Sequence, residues 1–370
     1  MATVISIVSY PFLPAKVGGQ KGVALFNNYF SKHLQLICVT TKKNDPSAAP
    51  DYKVLNILSN SQLRYINIFY FFLIRKIIKK NNATHLLIEH PYYGWLGVLL
   101  KKFCGVKLIV HSHNIEGLRW KTLGKWWWKI LWQYEKWTHR NADYNFFIHD
   151  DDRNYAINSF KLNAAKCITM TYGIEWDKAP STIDIQRCKD EIRNLYAIKK
   201  EETILFFNGA FNYRPNIEAL KIITDIINPI LQKQNGFLYK IIICGRDIPV
   251  EITSKKYTNV IFAGFVDDVG LYFKGADIFL NSITEGGGIK TKLVEALGNN
   301  LNAVSTKLGA TGINTNWCNE KLLLSNDNDW YNFVELIIKS SSIKKDIPPI
   351  YFEHFYWGYT TKKAADFINA

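Results

Sequence analysis

A chain of 370 residues is long for one domain and comfortable for two, each able to bury its own core. Hydrophobic residues at 48% and charged residues at 21% give the balance of a folded globular protein and exclude a disordered or fibrous one. A formal net charge of +14 favours anionic partners, whether nucleic acid, phosphorylated small molecules or an acidic membrane face, and by itself does not choose among them.

The opening "MATVISIVSYPF" has no basic region ahead of its short apolar run, so no secretory signal is expected and the location implied is cytoplasmic. Short β-branched runs then alternate with longer amphipathic stretches, the rhythm of βαβ units around parallel sheets, and the fold class is α/β. Strands are expected at "TVISIVS" from Thr3, "LQLICVTT" from Leu34, "THLLIEH" from Thr84, "VKLIVHS" from Val106 and "YNFFIH" from Tyr144. Helical patterns lie between them, including "GQKGVALFNNYFSKHL" and "LRYINIFYFFLIRKIIKK". The longest apolar stretch, "INIFYFFLI" from Ile66, is far short of the roughly 20 residues of a spanning helix, and no transmembrane segment is expected.

"YGIEWDKAPSTID", Tyr172 to Asp184, mixes turn formers with few core residues and is the best linker, which places the domains at 1–177 and 178–350. The second half restarts the pattern at "TILFFNG" from Thr203, "YKIIICG" from Tyr239, "NVIFAGF" from Asn259, "ADIFLNS" from Ala276 and "LNAVST" from Leu301. A polar loop, "KSSSIKKDIPP", leads to a closing helical segment, 351–370, expected to pack back on the first domain. The six cysteines are scattered and form no Cys-x-x-Cys pair, which suggests neither a zinc site nor a disulfide framework.

"EGGGIKTKLVEA", Glu285 to Ala296, follows an expected strand, where parallel sheets bind ligands beyond their carboxyl ends. Glycine lets backbone approach a ligand, and the amides opening the next helix can donate to a phosphate. Lys290 and Lys292 would add positive charge, and Glu295 could accept from sugar hydroxyls. Taken alone, a glycine triplet is more simply read as a tight loop, with the lysines solvated and Glu295 in a helix-surface pair. The segment is not a Walker loop, because the closing glycine-lysine-serine/threonine is missing.

From Glu285 through "LVEALGNNLNAVSTKLGATGI" to Ile313, the sequence resembles the carboxyl-terminal signature of family-4 glycosyltransferases, in the branch with a glycine triplet and a basic pair. "NGAFNYRPNIEAL" from Asn208 resembles the first turn of that domain, and "VGGQKGVALFNNYFSKHLQLICVTT" from Val17 resembles the amino-terminal glycine loop. "HSHNIEG" from His111, "YGIEWD" and the aromatic segment around Trp357 are weaker echoes in the same order. The resemblance implies the GT-B fold: two Rossmann-like domains, parallel sheets facing across a cleft, the first binding acceptor and the second nucleotide sugar. It implies retaining transfer of a sugar from a nucleoside diphosphate to an acceptor hydroxyl, in assembly of a bacterial surface polysaccharide or glycolipid.

Carried onto this chain, Glu295 grips the ribose, and Gly286, Gly287 and Gly288 lie beside the donor sugar. Lys290 and Lys292 face the diphosphate, Gly209 and Arg214 form the first donor-domain loop, and Gly18 and Gly19 approach the diphosphate from the other domain. His113 corresponds to a histidine near the reacting sugar. The usual pattern has two glutamates separated by seven residues, whereas nine stand between Glu285 and Glu295, so Glu285 takes the place of the first, sugar-contacting glutamate two residues out of the usual spacing. The first donor-domain loop also lacks the common arginine and lysine, so Arg214 and the two helix lysines would substitute.

No metal and no cofactor beyond the donor substrate are expected. "HDDDR" from His149 follows a strand and opens a helix, where acidic residues complement the helix dipole. "RWKTLGKWWWKILWQYEKWTHR", Arg119 to Arg140, and "FFLIRKIIKK" from Phe71 each admit two readings. One is contact with an anionic membrane at the inner face of the cell membrane, fitting a lipid-linked or glycan acceptor; the other is an amphipathic helix packed on the sheet. A catalytically silent GT-B protein binding nucleotide or glycan remains an alternative. Nucleic acid is not an expected partner, because no recognition motif accompanies the charge.

Overall fold

The computed structural model describes residues 2–15 and 18–370; Met1, Lys16 and Val17, the last being the first residue of the amino-terminal motif, lie outside the described residues. The chain divides into two units, Met1–Glu175 with His354–Ala370, and Trp176–Glu353.

The first unit holds a seven-stranded sheet of β1 (Thr3–Val8), β2 (Gln35–Thr41), β3 (Lys53–Leu58), β4 (His85–Glu89), β5 (Lys107–Ser112), β6 (Tyr144–Phe147) and β7 (Cys167–Thr169). Their order is β3-β2-β1-β4-β5-β6-β7, and every pairing is parallel. Parallel strands need crossovers, and helices on both faces leave β1, β4 and β5 almost wholly buried. One face, with Ile5, Ile7, Ile88 and Val110, packs against Ile74, Ile78, Leu96 and Leu100 of the helices Phe69–Lys80 and Gly94–Cys104. The opposite face carries the helix Gly18–Phe30 and the terminal helix Trp357–Asn369, which pack on one another. Ile174 bridges Tyr356 in parallel, with its amide donating to Phe355 O at 2.6 Å and its carbonyl accepting from Trp357 N at 3.0 Å.

The second unit holds β8 (Thr203–Ala210), β9 (Tyr239–Arg246), β10 (Val260–Gly264), β11 (Ile278–Asn281), β12 (Asn302–Thr306) and β13 (Leu322–Ser325), in the order β10-β9-β8-β11-β12-β13, again all parallel. Leu205, Phe207, Ile241 and Ile243 meet Leu220, Ile223 and Ile337 in its core. The helix from Arg214 widens into a π turn at Ile223–Ile227 before continuing through Asn228–Gln232. Pro229 follows that turn; it has no amide to donate and its ring crowds the preceding turn, which the wider turn relieves.

The ten strands read from the pattern are present, while β3, β7 and β13 add to them. The tryptophan-rich segment is not one long helix: it forms Glu116–Thr122 and Trp128–Asn141, separated at Gly124, whose φ of 68° ends the first. Asp150, Asp151 and Asp152 form the first turn of the helix Asp150–Phe160, capped by His149. Among the described residues no helix is long and apolar enough to cross a membrane.

Candidate functional site

In doubly wound sheets ligands collect beyond the carboxyl ends of the strands where the strand order reverses. In the second sheet that point lies between β8 and β11. β8 ends in Asn208, Gly209 and Ala210, and the chain after β11 runs through Glu285–Gly288 into the helix Thr291–Gly298. Thr306 pins the approach to this loop by donating its hydroxyl to Ile283 O while accepting from Gly309 N at 2.9 Å. Gly286 and Gly288 turn with φ of 87° and 73°, the left-handed region where a side chain is strained.

Lys290 closes the turn on itself: its Nζ donates to the carbonyls of Gly286, Gly287 and Gly288 at 2.9, 3.3 and 2.8 Å. The Lys292 ammonium donates to Asn208 O at 2.7 Å and Asn216 Oδ1 at 3.1 Å, and lies 5.6 Å from the Phe207 ring centre. A Cβ on Gly209 would stand 3.2 Å from both Asn216 and Lys292 Nζ, so the bare backbone there makes room for the cation. Burial pushes both ammonium groups down to about 8, opposed at Lys292 by the charge of Glu295 one turn on. Tyr351 braces the same helix by donating to Val294 O at 2.8 Å.

Arg214 sits differently from the expectation that it joins the lysines. Its guanidinium pairs with Glu285 Oε1 at 3.3 Å, and both side chains are largely exposed. Each neutralises the other at the surface, where such a pair contributes little to stability.

A cavity of about 750 Å³ opens at the carboxyl ends of β9 and β10, lined by Gly245, Arg246, Asp247, Ile248, Thr253, Phe262, Gly264 and Phe265. The Arg246 guanidinium lies 4.4 Å from the Phe265 ring centre, a cation–π pair forming one wall. A larger hollow of about 930 Å³ runs along the helix Thr182–Tyr196. Neither is lined by a residue singled out by sequence; the first differs in lying at the carboxyl ends of two strands, the edge where parallel sheets take ligands.

In the first sheet the reversal lies between β1 and β4. Gly18 and Gly19 open the helix that follows β1, and nothing lies within 4 Å of where a Cβ on Gly19 would be. His113 follows β5 and stands in a hydrogen-bonded network. Its Nε2 lies 2.7 Å from Glu89 Oε2, and the fully buried Glu89 carboxylate also meets His111 Nδ1 at 3.1 Å. Burial alone would raise the Glu89 carboxyl, but the two imidazoles outweigh it and hold the group ionised, well below the usual carboxylate range. Burial keeps the His111 ring neutral.

Beside this trio His90, at φ 65°, brings its ring 4.5 Å from His113 and its Nδ1 3.4 Å from Glu116 Oε1. Burial would raise Glu116, yet His90, a 2.6 Å hydrogen bond from Tyr92 and Arg119 bring it down to about 2. Glu89, His90, His111 and Glu116 were not singled out from sequence. The available signal was the pairing of "IEH" with "HSH" at the ends of adjacent parallel strands, where Glu89 and His111 are direct partners.

The ligand atoms of Glu89, His111 and His113 lie within 4.8 Å of one another. A tetrahedral zinc site with bonds of about 2.0–2.1 Å draws its ligand atoms to roughly 3.3 Å apart. Here the carboxylate contacts the imidazoles directly at 2.7 and 3.1 Å, the spacing of hydrogen bonds. The trio is a hydrogen-bonded network.

Gly209, Arg214, Glu285, Gly286, Gly287, Gly288, Lys290, Lys292 and Glu295 are thus all in the second unit, and Gly18, Gly19 and His113 are all in the first. Two doubly wound parallel sheets in one chain, the second with a glycine turn and two lysines at its switch point, are the architecture of the GT-B fold. Residues 28–177 match the model described as Glycosyltransferase Family 4, all but the last two of them in the first unit, and residues 202–340, in the second, match Glycosyl transferases group 1. The chain belongs to the family-4 glycosyltransferases.

Solved structures of the same fold include a glycosyltransferase from Rickettsia africae, at 15% identity over 99% of this chain and 97% of that one, TM-score 0.70. Anabaena HepE in complex with UDP is similar at 12% identity over 99% of both chains, TM-score 0.70. The lipopolysaccharide outer core galactosyltransferase WaaB is similar at 12% identity over 99% of both chains, TM-score 0.65. No curated protein sequence matches the chain.

Proposed function

We propose that the protein transfers a sugar, with retention at the anomeric carbon, from a nucleoside diphosphate sugar to an acceptor hydroxyl, in assembly of a bacterial surface polysaccharide or glycolipid. The observation that carries this reading is the convergence of Lys290 and Lys292 with the glycine turn at the start of the helix Thr291–Gly298, at the switch point of the second sheet. Helix-start amides and ammonium groups suit a diphosphate. The anomeric C–O bond breaks with its electron pair passing to the departing diphosphate, the acceptor oxygen forms the new anomeric bond and gives its proton to that diphosphate, and preorganised cations stabilise the leaving charge. With two lysines on the diphosphate, the reaction proceeds without a resident metal.

Glu295 takes the ribose hydroxyls, and the cavity walled by Arg246 and Phe265 takes the base. Complexes of HepE with UDP and with UDP-glucose support a nucleotide-sugar donor, and the activity named for WaaB supports a surface-glycan product.

The acceptor is lipid-linked or glycan, and the first unit meets an anionic membrane at the inner face of the cell. The two sequence readings of its basic segments divide by residue. Trp132 packs inward, donating to Tyr155 OH at 3.0 Å, and Trp120 donates to Tyr92 OH at 3.2 Å. Trp126 is 83% exposed and Phe69 73%, with Ile66, Phe72 and Ile130 also outward among exposed lysines. Exposed apolar groups with a basic surround fit the headgroup region of anionic lipid.

The test is to incubate the purified protein with UDP-glucose and with the guanosine, adenosine and cytidine diphosphate sugars, following nucleoside diphosphate release and the product anomer by proton NMR. Release with one base and a retained anomer supports the reading. A folded protein that neither hydrolyses nor transfers any of them, with acceptor and anionic vesicles present, would indicate a silent member of the fold.

A further inference from the structure

We propose that Glu89 is a positioning residue for His113: its carboxylate fixes the imidazole as the tautomer protonated on Nε2 and leaves Nδ1 as an acceptor for a sugar hydroxyl. The inference rests on the glycosyltransferase reading for the hydroxyl, and on geometry alone for the tautomer.

An ionised carboxylate only accepts hydrogen bonds, so the 2.7 Å contact requires the His113 proton on Nε2. A neutral imidazole with its proton there has its lone pair on Nδ1. Glu89 cannot turn away, because His111 holds it from the adjacent strand, where the two residues are partners in the β4–β5 register. His111 is itself packed in: its side chain is 3% exposed and its ring stands 4.6 Å from that of Phe26.

Of the two imidazoles on this carboxylate, His113 is the accessible one, with 15% of its side chain exposed against 3% for His111. The arrangement is therefore directional, running from an anchored His111 through a buried carboxylate to a partly open His113. Fully burying a carboxylate is unfavourable unless it is paired and hydrogen-bonded, and a hydrophobic residue at position 89 would pack the sheet without that cost. Orienting His113 gives the charge a role that packing does not.

His90, 4.5 Å from His113, does not compete for Glu89, because its Nδ1 faces Glu116 and its Nε2 lies 3.4 Å from Tyr10 OH. Two histidine–carboxylate pairs thus stand side by side, and only the Glu89 pair shares its carboxylate between two rings.

The direct test is a long-range proton–nitrogen-15 correlation on histidine-labelled full-length protein, with His113→Asn assigning the ring. The expected result is His113 protonated on Nε2 in the wild type, with its downfield N–H resonance lost in Glu89→Gln. A His113 ring protonated on Nδ1 would overturn the proposal, whatever the protein's activity. In the transfer assay, Glu89→Gln lowers kcat roughly tenfold or more with the donor KM little changed, and Glu89→Asp recovers part of it. That loss disappears in a His113→Ala background and persists in a His111→Asn background. An undiminished kcat in folded Glu89→Gln, or a loss equally large without His113, would also overturn it. A wild type without transfer but with the Nε2 tautomer sinks the function while leaving the positioning intact.

Discussion

Replacing Lys292 by methionine keeps the length of the side chain and removes its charge. Two opposing stability effects nearly cancel. The wild-type ammonium gives hydrogen bonds to Asn208 O and Asn216 Oδ1, each worth about 1.5–3 kcal/mol for a charged donor. Burial that brings it from its ordinary 10.5 to about 8 costs the charged form about 3 kcal/mol. The folded state of Lys292→Met is therefore expected to lose no more than about 3 kcal/mol, measured by urea denaturation. Catalysis has no such offset. Losing one preorganised donor to the departing diphosphate raises the barrier by about 2.7–4 kcal/mol, a fall in kcat of roughly 10² to 10³. The assay is steady-state release of nucleoside diphosphate, compared with the folded fraction at the same temperature. A kcat within about threefold of wild type in a folded variant would refute the placement of Lys292 on the diphosphate.

The same lysines give a pH signature. Their folded values of about 8 lie below the ordinary 10.5, so between those limits the unfolded chain holds the protons and the folded chain does not. Stability from these groups is thus expected to rise as pH goes from about 8 to 10.5, while kcat/KM falls above about 8 as the cations are lost; a flat profile to pH 10 would contradict this. Gly286→Ala, at φ 87° and with its new Cβ 3.2 Å from Tyr213 OH, should raise the donor KM at a stability cost of about 1–2 kcal/mol, seen by paired kinetics and thermal melts. Phe69→Ser with Phe72→Ser should cut sedimentation with anionic vesicles severalfold and leave the melting temperature unchanged, since both rings face outward. Equal sedimentation of variant and wild type would exclude that surface as the membrane contact.

Much of the architecture was legible because both sheets are parallel and buried on both faces, which writes their central strands as unbroken β-branched runs. The strands that escaped are at or near the sheet edges: β7 has three residues, β13 four, and β3 is only partly buried, so each carries a weak pattern. The glycine turn was legible because its conformation demands glycine. The fate of its cations was not. Lys290 turned back on its own loop, and Arg214 paired with Glu285, through contacts that depend on loop paths the sequence does not encode locally. Glu89 was hidden for a different reason: its significance arises from strand register, which brings "IEH" against "HSH". The cavity at Arg246 and Phe265 likewise joins residues beyond two separate strands.

The central claim, that the second unit holds a nucleoside diphosphate, is tested most directly by titrating uridine, guanosine, adenosine and cytidine diphosphates into wild type and Glu295→Gln while following thermal unfolding. At about a hundred times its dissociation constant the right nucleotide should stabilise the wild type by roughly 2.7 kcal/mol, and the variant much less. A well-folded wild type that is stabilised by none of the four, or a variant stabilised as strongly as wild type, would contradict the account.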